Sequence, residues 1–281
     1  MLIASSALLS LGPRVAPAQL PPAAGSERRA SRGCPKEMVR VRGYCIDRFE
    51  ISTVDHRSGR ALSPFYPPHP RLLESAWTAW SVERKRVGMR DARALPLPAL
   101  PEFQSLATDY QPRAISRPGV VPQAYLPGWL ARVACENAGK RLCSEEEWVV
   151  ACRGAEPRKF PYGSRFEDGR CNVYRHLHPA LLLHGASFYG HLDPRLNLVV
   201  EPNRDPLLRL TGATAGCRSS WGDDAIYDMV GNLDEWVDDP SGVFVGGFYA
   251  RSTREGCEAR VGVHPPVYFD YSTGARCCLS P

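Results

Sequence analysis

The pattern of apolar and polar residues is regular at only a few places along this chain. Residues 38–52, MVRVRGYCIDRFEIS, alternate on both sides of Gly43, which is typical of two strands joined by a tight turn. Residues 71–88 carry leucine, alanine, valine and tryptophan at helical spacing, so a helix is predicted there. Most of residues 56–125 should otherwise be ordered coil, because prolines recur throughout and no other period is sustained.

The clearest local pattern is GWLARVACENAGKRLCSEEEWVVACRG at residues 128–154. It predicts a first helix over residues 129–138, with Gly139 in the position that often follows a helix C-terminus. Ser144 and Glu147 have the spacing of a capping box, which predicts the start of a second helix. A glycine after that helix ends it.

Composition sets the broad class of the protein. In 281 residues, 43% hydrophobic and 23% charged content is ordinary for a globular protein, whereas 24 Gly and 26 Pro predict many turns and few long elements. The formal net charge of +5 comes without a run of five basic residues, so nucleic-acid binding is not supported.

The N-terminus resembles an export sequence. Residues 1–18 hold an apolar run followed by Ala-Pro-Ala, as in a secretory signal peptide, and residues 19–33 have the composition of a flexible linker. The apolar run is too short to span a bilayer, and no other stretch is long enough to be a transmembrane segment. We therefore expect export to the periplasm, the cell envelope or the exterior.

Ten cysteines support the same expectation, since an even number in a loop-rich exported chain argues for a disulfide framework. No C-x2-C pair occurs, which weighs against a zinc site. Cys143 and Cys152 are separated by about 13 Å along the second predicted helix, beyond the reach of a disulfide. Cys34 and Cys45 are placed to close the predicted hairpin, and the sequence leaves the remaining connectivity open.

A stretch rich in carboxylates, WGDDAIYDMVGNLDEWVDD at residues 221–239, stands in this positively charged chain. Its seven acidic residues are threaded through apolar residues that are typical of a core. Buried carboxylates repel one another and lose hydration, so a cationic group must compensate them. The residues leave two possibilities open: a hard cation held by oxygen ligands, or partners such as Arg218 and Arg251.

Four blocks in chain order resemble the formylglycine-generating enzyme family, also called sulfatase-modifying factors. They are AGKRLCSEEEWVVACRG, YDMVGNLDEWVDD, FVGGFYARS and TGARCC, and MVRVRGYCIDRFEIS is similar to the family's opening strand. The resemblance covers about residues 34–278 and accounts poorly for residues 56–125, which we treat as a divergent insert. It implies one α+β domain over residues 34–281, irregular, disulfide-braced, poor in regular secondary structure and distantly like a C-type lectin.

The resemblance implies one or two structural Ca²⁺ ions. In the family, one ion lies at the VGNVWEW block, held by two side chains and two backbone carbonyls. The matching positions here are Asp228, Gly231, Leu233 and Glu235. A second family site begins at an Asn-Ile pair that matches Asn172 and Val173, and Asp234 stands where the family has a tryptophan.

Copper is not expected. The family's oxidases bind Cu(I) through two cysteines that follow the GGS[WY] strand, and these positions here read Arg251 and Gly256, with Cys257 one place beyond. Two thiolates make a soft site for Cu(I), whereas a guanidinium group repels the metal.

The family's disulfides also suggest a pairing scheme for this chain. Four pairs follow from the resemblance, and the fifth is what remains. The scheme is Cys135–Cys277, Cys152–Cys257, Cys171–Cys217, Cys34–Cys45 and Cys143–Cys278.

Two functions are compatible with these features. The first is a non-catalytic, Ca²⁺-stabilised binding module for a peptide, protein, glycan or envelope component. Its candidate groove lies on the GGFYARS strand, at Phe248, Tyr249, Arg251 and Ser252. Aromatic residues beside a glycine-rich strand are, however, more often part of a core. The second function is an oxidase of the formylglycine-generating type that acts on a cysteine-containing peptide, with Cys257 as its candidate catalytic residue and Arg251 lowering the pKa of that thiol.

Other chemistries have less support. His176, His178, His184 and His191 do not share a helix-face spacing, so a histidine metal centre is a weak alternative. No G-x-S-x-G sequence occurs, which argues against a serine hydrolase of that type.

Overall fold

The described strands have two to five residues each, and the described helices are short except for one of 18 residues. The computed structural model describes residues 33–87, 94–185, 190–251 and 253–280, so the predicted signal peptide at residues 1–18 and all but the last residue of the predicted linker lie outside the described residues. The strands are β1 (Met38–Val41), β2 (Tyr44–Asp47), β3 (Ile51–Asp55), β4 (Pro112–Ser116), β5 (Arg141–Leu142), β6 (Arg218–Trp221), β7 (Asp224–Tyr227), β8 (Asp234–Trp236), β9 (Phe244–Val245), β10 (Arg260–Val261), β11 (Thr273–Ala275) and β12 (Cys277–Leu279). The α-helices are α1 (Pro70–Val87), α2 (Glu102–Leu106), α3 (Gly128–Glu136), α4 (Glu145–Arg153) and α5 (Pro179–His184).

Eight of these strands form two four-stranded sheets, in the orders β1-β2-β12-β5 and β10-β9-β8-β11, and the other four form the two-stranded sheets β3-β4 and β6-β7. In the first sheet β12 is antiparallel to both β2 and β5, so the last strand of the chain lies beside the N-terminal hairpin. In the second sheet β11 is parallel to β8. A single residue, Arg276, separates β11 from β12 and therefore stands where the two sheets meet. The fold is thus a mixture of short helices and strands, as expected.

The predicted hairpin and helices are present. Strands β1 and β2 pair antiparallel across a turn in which Arg42 is left-handed, with φ 51°. Helix α1 begins one residue before the predicted start, and the predicted last residue, Gly88, lies outside the described residues. Helix α3 ends at Glu136, two residues earlier than predicted, and Gly139 is left-handed with φ 69°.

The divergent insert has more regular structure than the coil predicted for it. Besides α1 it contains α2 and β4, and β4 pairs with β3 over five residues, from Ile51 opposite Ser116 to Asp55 opposite Pro112. Strand β4 escaped prediction because its buried positions are proline, alanine and serine, whose small side chains give almost no apolar alternation. Pairing with β3 therefore joins the insert to the rest of the described chain.

All ten cysteines form disulfides. The pairs are Cys34–Cys45, Cys135–Cys277, Cys143–Cys278, Cys152–Cys257 and Cys171–Cys217. Four of these are the pairs that the family resemblance implies, and Cys143–Cys278 is the pair that remained. Five disulfides indicate that the protein folds in an oxidising environment such as the cell exterior. Within the described ranges, no helix has the length and apolar character needed to cross a membrane.

Helix α4 begins with the predicted capping box. The Ser144 hydroxyl accepts a hydrogen bond from the Glu147 backbone N–H at 3.1 Å, and the Glu147 carboxylate accepts one from the Ser144 N–H at 2.9 Å. The two bonds satisfy backbone donors that would otherwise lack partners at the helix start. The same helix places Trp148 and Cys152 in the core, four residues apart on one face.

We expect Ser144→Ala to lower the free energy of unfolding by about 1 kcal/mol, because the helix loses its N-cap. Urea denaturation of the oxidised protein measures this change. Ser75→Ala, the same replacement on the exposed face of α1, is the control and should stay within about 0.5 kcal/mol of the wild type. Equal losses in the two variants would show that the capping box does not stabilise α4.

Candidate functional site

The acidic stretch at residues 221–239 separates into surface carboxylates and buried ones. The hairpin of β6 and β7 carries the first two aspartates at its exposed end. The backbone then turns through left-handed residues, Asp228 with φ 58° and Asn232 with φ 62°. These turns bring Asp228, Asp234 and Glu235 into the interior, where they are 3%, 0% and 1% exposed.

Arg276 holds Glu235 in a fully buried, two-pronged ion pair. The Arg276 Nε and Nη2 atoms donate to the two carboxylate oxygens of Glu235, each at 2.7 Å. The same guanidinium donates to the carbonyls of Asp47 and Tyr227, at 3.0 and 2.9 Å. The indole N–H of Trp148 donates to Glu235 Oε2 at 2.6 Å. For Glu235, the compensating cation is therefore an arginine side chain.

Two more carboxylates are buried in the same region. Glu50 accepts hydrogen bonds from the Asn232 side chain at 2.7 Å and from the Leu233 backbone N–H at 3.2 Å. Asp228 accepts one from the Gly212 backbone N–H at 2.7 Å. None of these donors carries a charge, so the hydrogen bonds stabilise the two carboxylates without neutralising them.

Glu50, Asp228 and Glu235, together with Arg276, form what we call the buried carboxylate cluster, and each of the carboxylates interacts electrostatically with the arginine. Three carboxylates face one guanidinium, which leaves two negative charges in excess when all are ionised. Burial, together with the neighbouring carboxylates, raises the pKa of Glu50 well above its ordinary range. Burial also raises the pKa of Asp228 to about 7.

Both Glu235 oxygens are already bonded to Arg276, so a Ca²⁺ ion would have to use the other oxygens of the buried carboxylate cluster. These oxygens are hard donors of the kind that Ca²⁺ prefers, and one divalent cation would neutralise the excess. Within the described residues, no group of three or more His, Cys, Asp or Glu side chains could hold a metal by itself. Backbone carbonyls such as those of Gly231 and Leu233 would therefore have to complete the ligand set, as the resemblance implies.

The second implied metal position has a different environment. Asn172 and Val173 are both buried. The Asn172 amide donates to the carbonyl of Leu207 at 2.8 Å and to the side chain of Asn232 at 2.9 Å. Its Oδ1 atom accepts from Arg175 Nη1 at 3.3 Å, so a guanidinium already contacts the oxygen that a metal would use.

The expected GGFYARS strand is not a strand in the structure, because β9 ends at Val245 and the segment continues through left-handed Gly246 and Gly247 into bends and turns. This GGFYARS segment carries a further ion pair. Arg251 Nη1 donates to Asp234 Oδ1 at 2.7 Å, and the Arg251 side chain is 32% exposed. Burial raises the pKa of Asp234 to about 7, although Arg251 favours the ionised form. By the resemblance, these are positions where the family has a tryptophan and a copper cysteine, and in this chain the two side chains pair with each other.

The prediction that Cys257 is the key residue of an oxidase is wrong. Cys257 is buried and bonded to Cys152, and Arg251 points its charge at Asp234 instead. Gly256, at the second copper position, is left-handed with φ 61°, and a Cβ atom there would lie 2.4 Å from the Lys159 carbonyl oxygen. No cysteine fits at that position without a backbone shift.

The prediction of a binding groove on this segment is also wrong for two of its four residues. Phe248 and Tyr249 are buried in the core, since Phe248 packs against Tyr271 and the Tyr249 hydroxyl donates to Asn197 at 2.8 Å. The core interpretation of these aromatic residues is therefore correct. Arg251 is the accessible member of the set, and Ser252 lies outside the described residues.

The four histidines do not converge. His178 contacts the Tyr271 hydroxyl at 3.3 Å, whereas His184 contacts the Asp193 carboxylate at 2.9 Å in a separate buried hydrogen bond. His191 stacks on a tyrosine ring. Each of these three rings thus has a structural neighbour of its own.

The comparisons with known proteins agree with the pattern of residues. The model of the sulfatase-modifying factor enzyme 1-like domain (FGE-sulfatase) matches residues 129–279. The chain belongs to this family. An inactive C-alpha-formylglycine-generating enzyme 2 from Bos taurus is 31% identical over 108 residues, which are 38% of this chain and 29% of that protein. The matched region is thus less than a third of the relative's length.

Solved structures of similar proteins include PvdO from Pseudomonas aeruginosa, with a TM-score of 0.40 and 13% identity, covering 85% of this chain and 80% of that one. CarF matches with a TM-score of 0.38 and 12% identity over 85% of this chain and 86% of its own. Treponema denticola variable protein 1 matches with a TM-score of 0.38 and 12% identity over 88% of this chain and 100% of its own.

The sequence analysis did not identify three charged residues that make buried polar contacts in this FGE-sulfatase domain: Glu50, Arg175 and Arg276. Two of them lie inside the blocks that carry the family resemblance, Glu50 in MVRVRGYCIDRFEIS and Arg276 in TGARCC. Their position among apolar, strand-forming residues could have identified these two, because a charged residue in such a block lies either on the surface or in the interior with a partner.

We expect Arg251→Ala to lower the free energy of unfolding by about 2–3 kcal/mol, because Asp234 would be left buried without its cationic partner. This is less than the loss for a fully buried pair, since Arg251 is partly exposed and water screens it. Chemical denaturation measures the change.

Arg132→Ala is the matched control, because Arg132 pairs with Asp238 of the same acidic stretch at the surface. It should cost no more than about 0.5 kcal/mol. If Arg251→Ala costs no more than this control, the pair with Asp234 does not stabilise the fold.

Proposed function

We propose that this chain is a non-catalytic, Ca²⁺-stabilised binding module that is exported and recognises a peptide, protein, glycan or envelope component. The observation that carries the proposal is the Arg251–Asp234 ion pair at a copper position of the family. It puts a positive charge where a Cu(I) site needs a thiolate. The second copper position is a glycine that lacks space for a side chain.

The state of the cysteines supports the same proposal. Every one of the ten is bonded to another, so no thiol remains for copper or for a covalent reaction. The bovine relative is called an inactive enzyme, which agrees with a domain that keeps the scaffold and lacks the reaction. Five disulfides fit a protein that acts after export, where such bonds persist.

Thiol labelling of the unreduced protein under denaturing conditions tests whether any cysteine is free to bind copper or to react. We expect no labelled cysteine, because all ten are oxidised, and accordingly no binding of Cu(I). The reduced and denatured protein is the control and should label all ten. A labelled Cys257 in the unreduced protein would contradict the non-catalytic proposal and favour a divergent oxidase.

The proposal of Ca²⁺ rests on the two excess negative charges of the buried carboxylate cluster. We expect a chelator to lower the melting temperature and added Ca²⁺ to restore it, since an ion that binds only the folded state stabilises it by mass action. At a hundredfold excess over Kd the gain is about 2.7 kcal/mol. Differential scanning calorimetry in the presence of chelator or Ca²⁺ measures the response.

Asp228→Asn should remove that response, because it takes away one negative charge while asparagine tolerates the left-handed backbone. Asp223→Asn, on the exposed part of the same stretch, should keep the response. If the melting temperature of the wild type is the same with and without the chelator, Ca²⁺ does not stabilise the fold. Protonation of Glu50 and Asp228 would then neutralise the excess charge. A response that survives Asp228→Asn would place the ion elsewhere.

A further inference from the structure

Arg175 lies at the centre of a cage of oxygen atoms at the second implied metal position. Its Nε atom donates to Glu201 Oε1 at 2.9 Å, and its Nη1 atom to Asn172 Oδ1 at 3.3 Å. Nη1 also pairs with Asp205 Oδ2 at 2.7 Å, and Nη2 donates to the Asp205 carbonyl at 3.2 Å. With a side chain only 7% exposed, the guanidinium is enclosed by four oxygen atoms from three residues.

The charges around Arg175 balance without a metal. The carboxylates of Glu201 and Asp205 face two guanidinium groups, because Arg209 also pairs with Asp205 at 2.6 Å. Hydrogen bonds from Arg209, and then the charges of both arginines, hold the pKa of Asp205 below its ordinary value despite partial burial. This region therefore differs from the buried carboxylate cluster, where negative charge is in excess.

The oxygen atoms are of the kind that bind Ca²⁺, yet a cation does not fit beside Arg175. Carboxylate, amide and carbonyl oxygens are common Ca²⁺ ligands at about 2.3–2.6 Å. An ion at that distance from these atoms would occupy the space of the guanidinium and would be repelled by its charge. The planar fork of arginine can instead reach several oxygen atoms at once.

We propose that Arg175 is an internal cation that replaces Ca²⁺ at this position, and that the cage binds Ca²⁺ once the guanidinium is removed. The neighbouring backbone holds the cage together. The Arg175 N–H donates to the Tyr249 carbonyl at 3.0 Å, and the Glu201 N–H donates to the Asp205 carbonyl at 2.9 Å. The wild-type cage is consequently independent of the Ca²⁺ concentration.

Arg175→Ala tests the proposal by a gain of binding. We expect the variant to bind about one more Ca²⁺ per chain than the wild type, measured by equilibrium dialysis and elemental analysis, because the vacated oxygen cage suits that ion. Its melting temperature should fall in chelator and recover with Ca²⁺.

Arg209→Ala is the matched control. It also removes a guanidinium from Asp205, but the Arg209 side chain bonds Thr214 and does not fill the space between Asn172 and Glu201. It should gain no Ca²⁺.

A folded Arg175→Ala protein with the wild-type Ca²⁺ content would overturn the proposal. A second variant covers the case in which Arg175→Ala does not fold. Glu201→Gln removes one charge from the cage of the otherwise wild-type protein, and we expect it to leave the bound Ca²⁺ unchanged. A loss of bound Ca²⁺ in this variant would show that the wild-type cage holds the metal. Both comparisons are differences from the wild type, so they do not depend on whether the buried carboxylate cluster binds Ca²⁺.

Discussion

The ion pair between Arg276 and Glu235 is the interaction on which the rest of the described structure depends. Arg276 lies between β11 and β12, which belong to different sheets, and Glu235 lies on β8 beside β11. The guanidinium also holds the Asp47 carbonyl at the end of β2, so one side chain ties both sheets together. Loss of either partner would leave a buried charge, which costs about 3–5 kcal/mol.

A common principle links this pair to the other charged positions. Asp234 is compensated by Arg251, and the oxygen cage at Asn172 is filled by Arg175. In each case a guanidinium group, with several donors in one plane, satisfies oxygen atoms that cannot reach water. The sequence left open whether arginine or a hard cation compensates the buried carboxylates. Arginine compensates Asp234 and Glu235, whereas Glu50 and Asp228 have no ion-pair partner of their own among the described residues and account for the excess negative charge.

The elements that the sequence predicted correctly are those that local chemistry determines. The turn near Gly43 and the capping box of Ser144 and Glu147 involve residues within a few positions of one another. Contacts between distant segments could not be predicted in the same way. Arg276 and Glu235 are 41 residues apart, and neither spacing nor hydrophobic period connects them. The burial of Phe248 likewise depends on residues from other segments, so the local sequence pattern could not distinguish a groove from a core.

The absence of a two-thiolate copper site, on which the proposed function rests, involves the backbone as well as the side chains. Restoring a cysteine at position 251 alone would leave Asp234 buried without a cation and would provide only one of two thiolates. The second thiolate would require a side chain at Gly256, where the Lys159 carbonyl occupies the space of a Cβ atom. The adjacent Cys257 cannot substitute for it, because its sulfur is bonded to Cys152 on α4. A two-thiolate site at these positions would therefore need changes in an ion pair and in a backbone turn, and a site that used Cys257 would also need the disulfide to Cys152 to be broken.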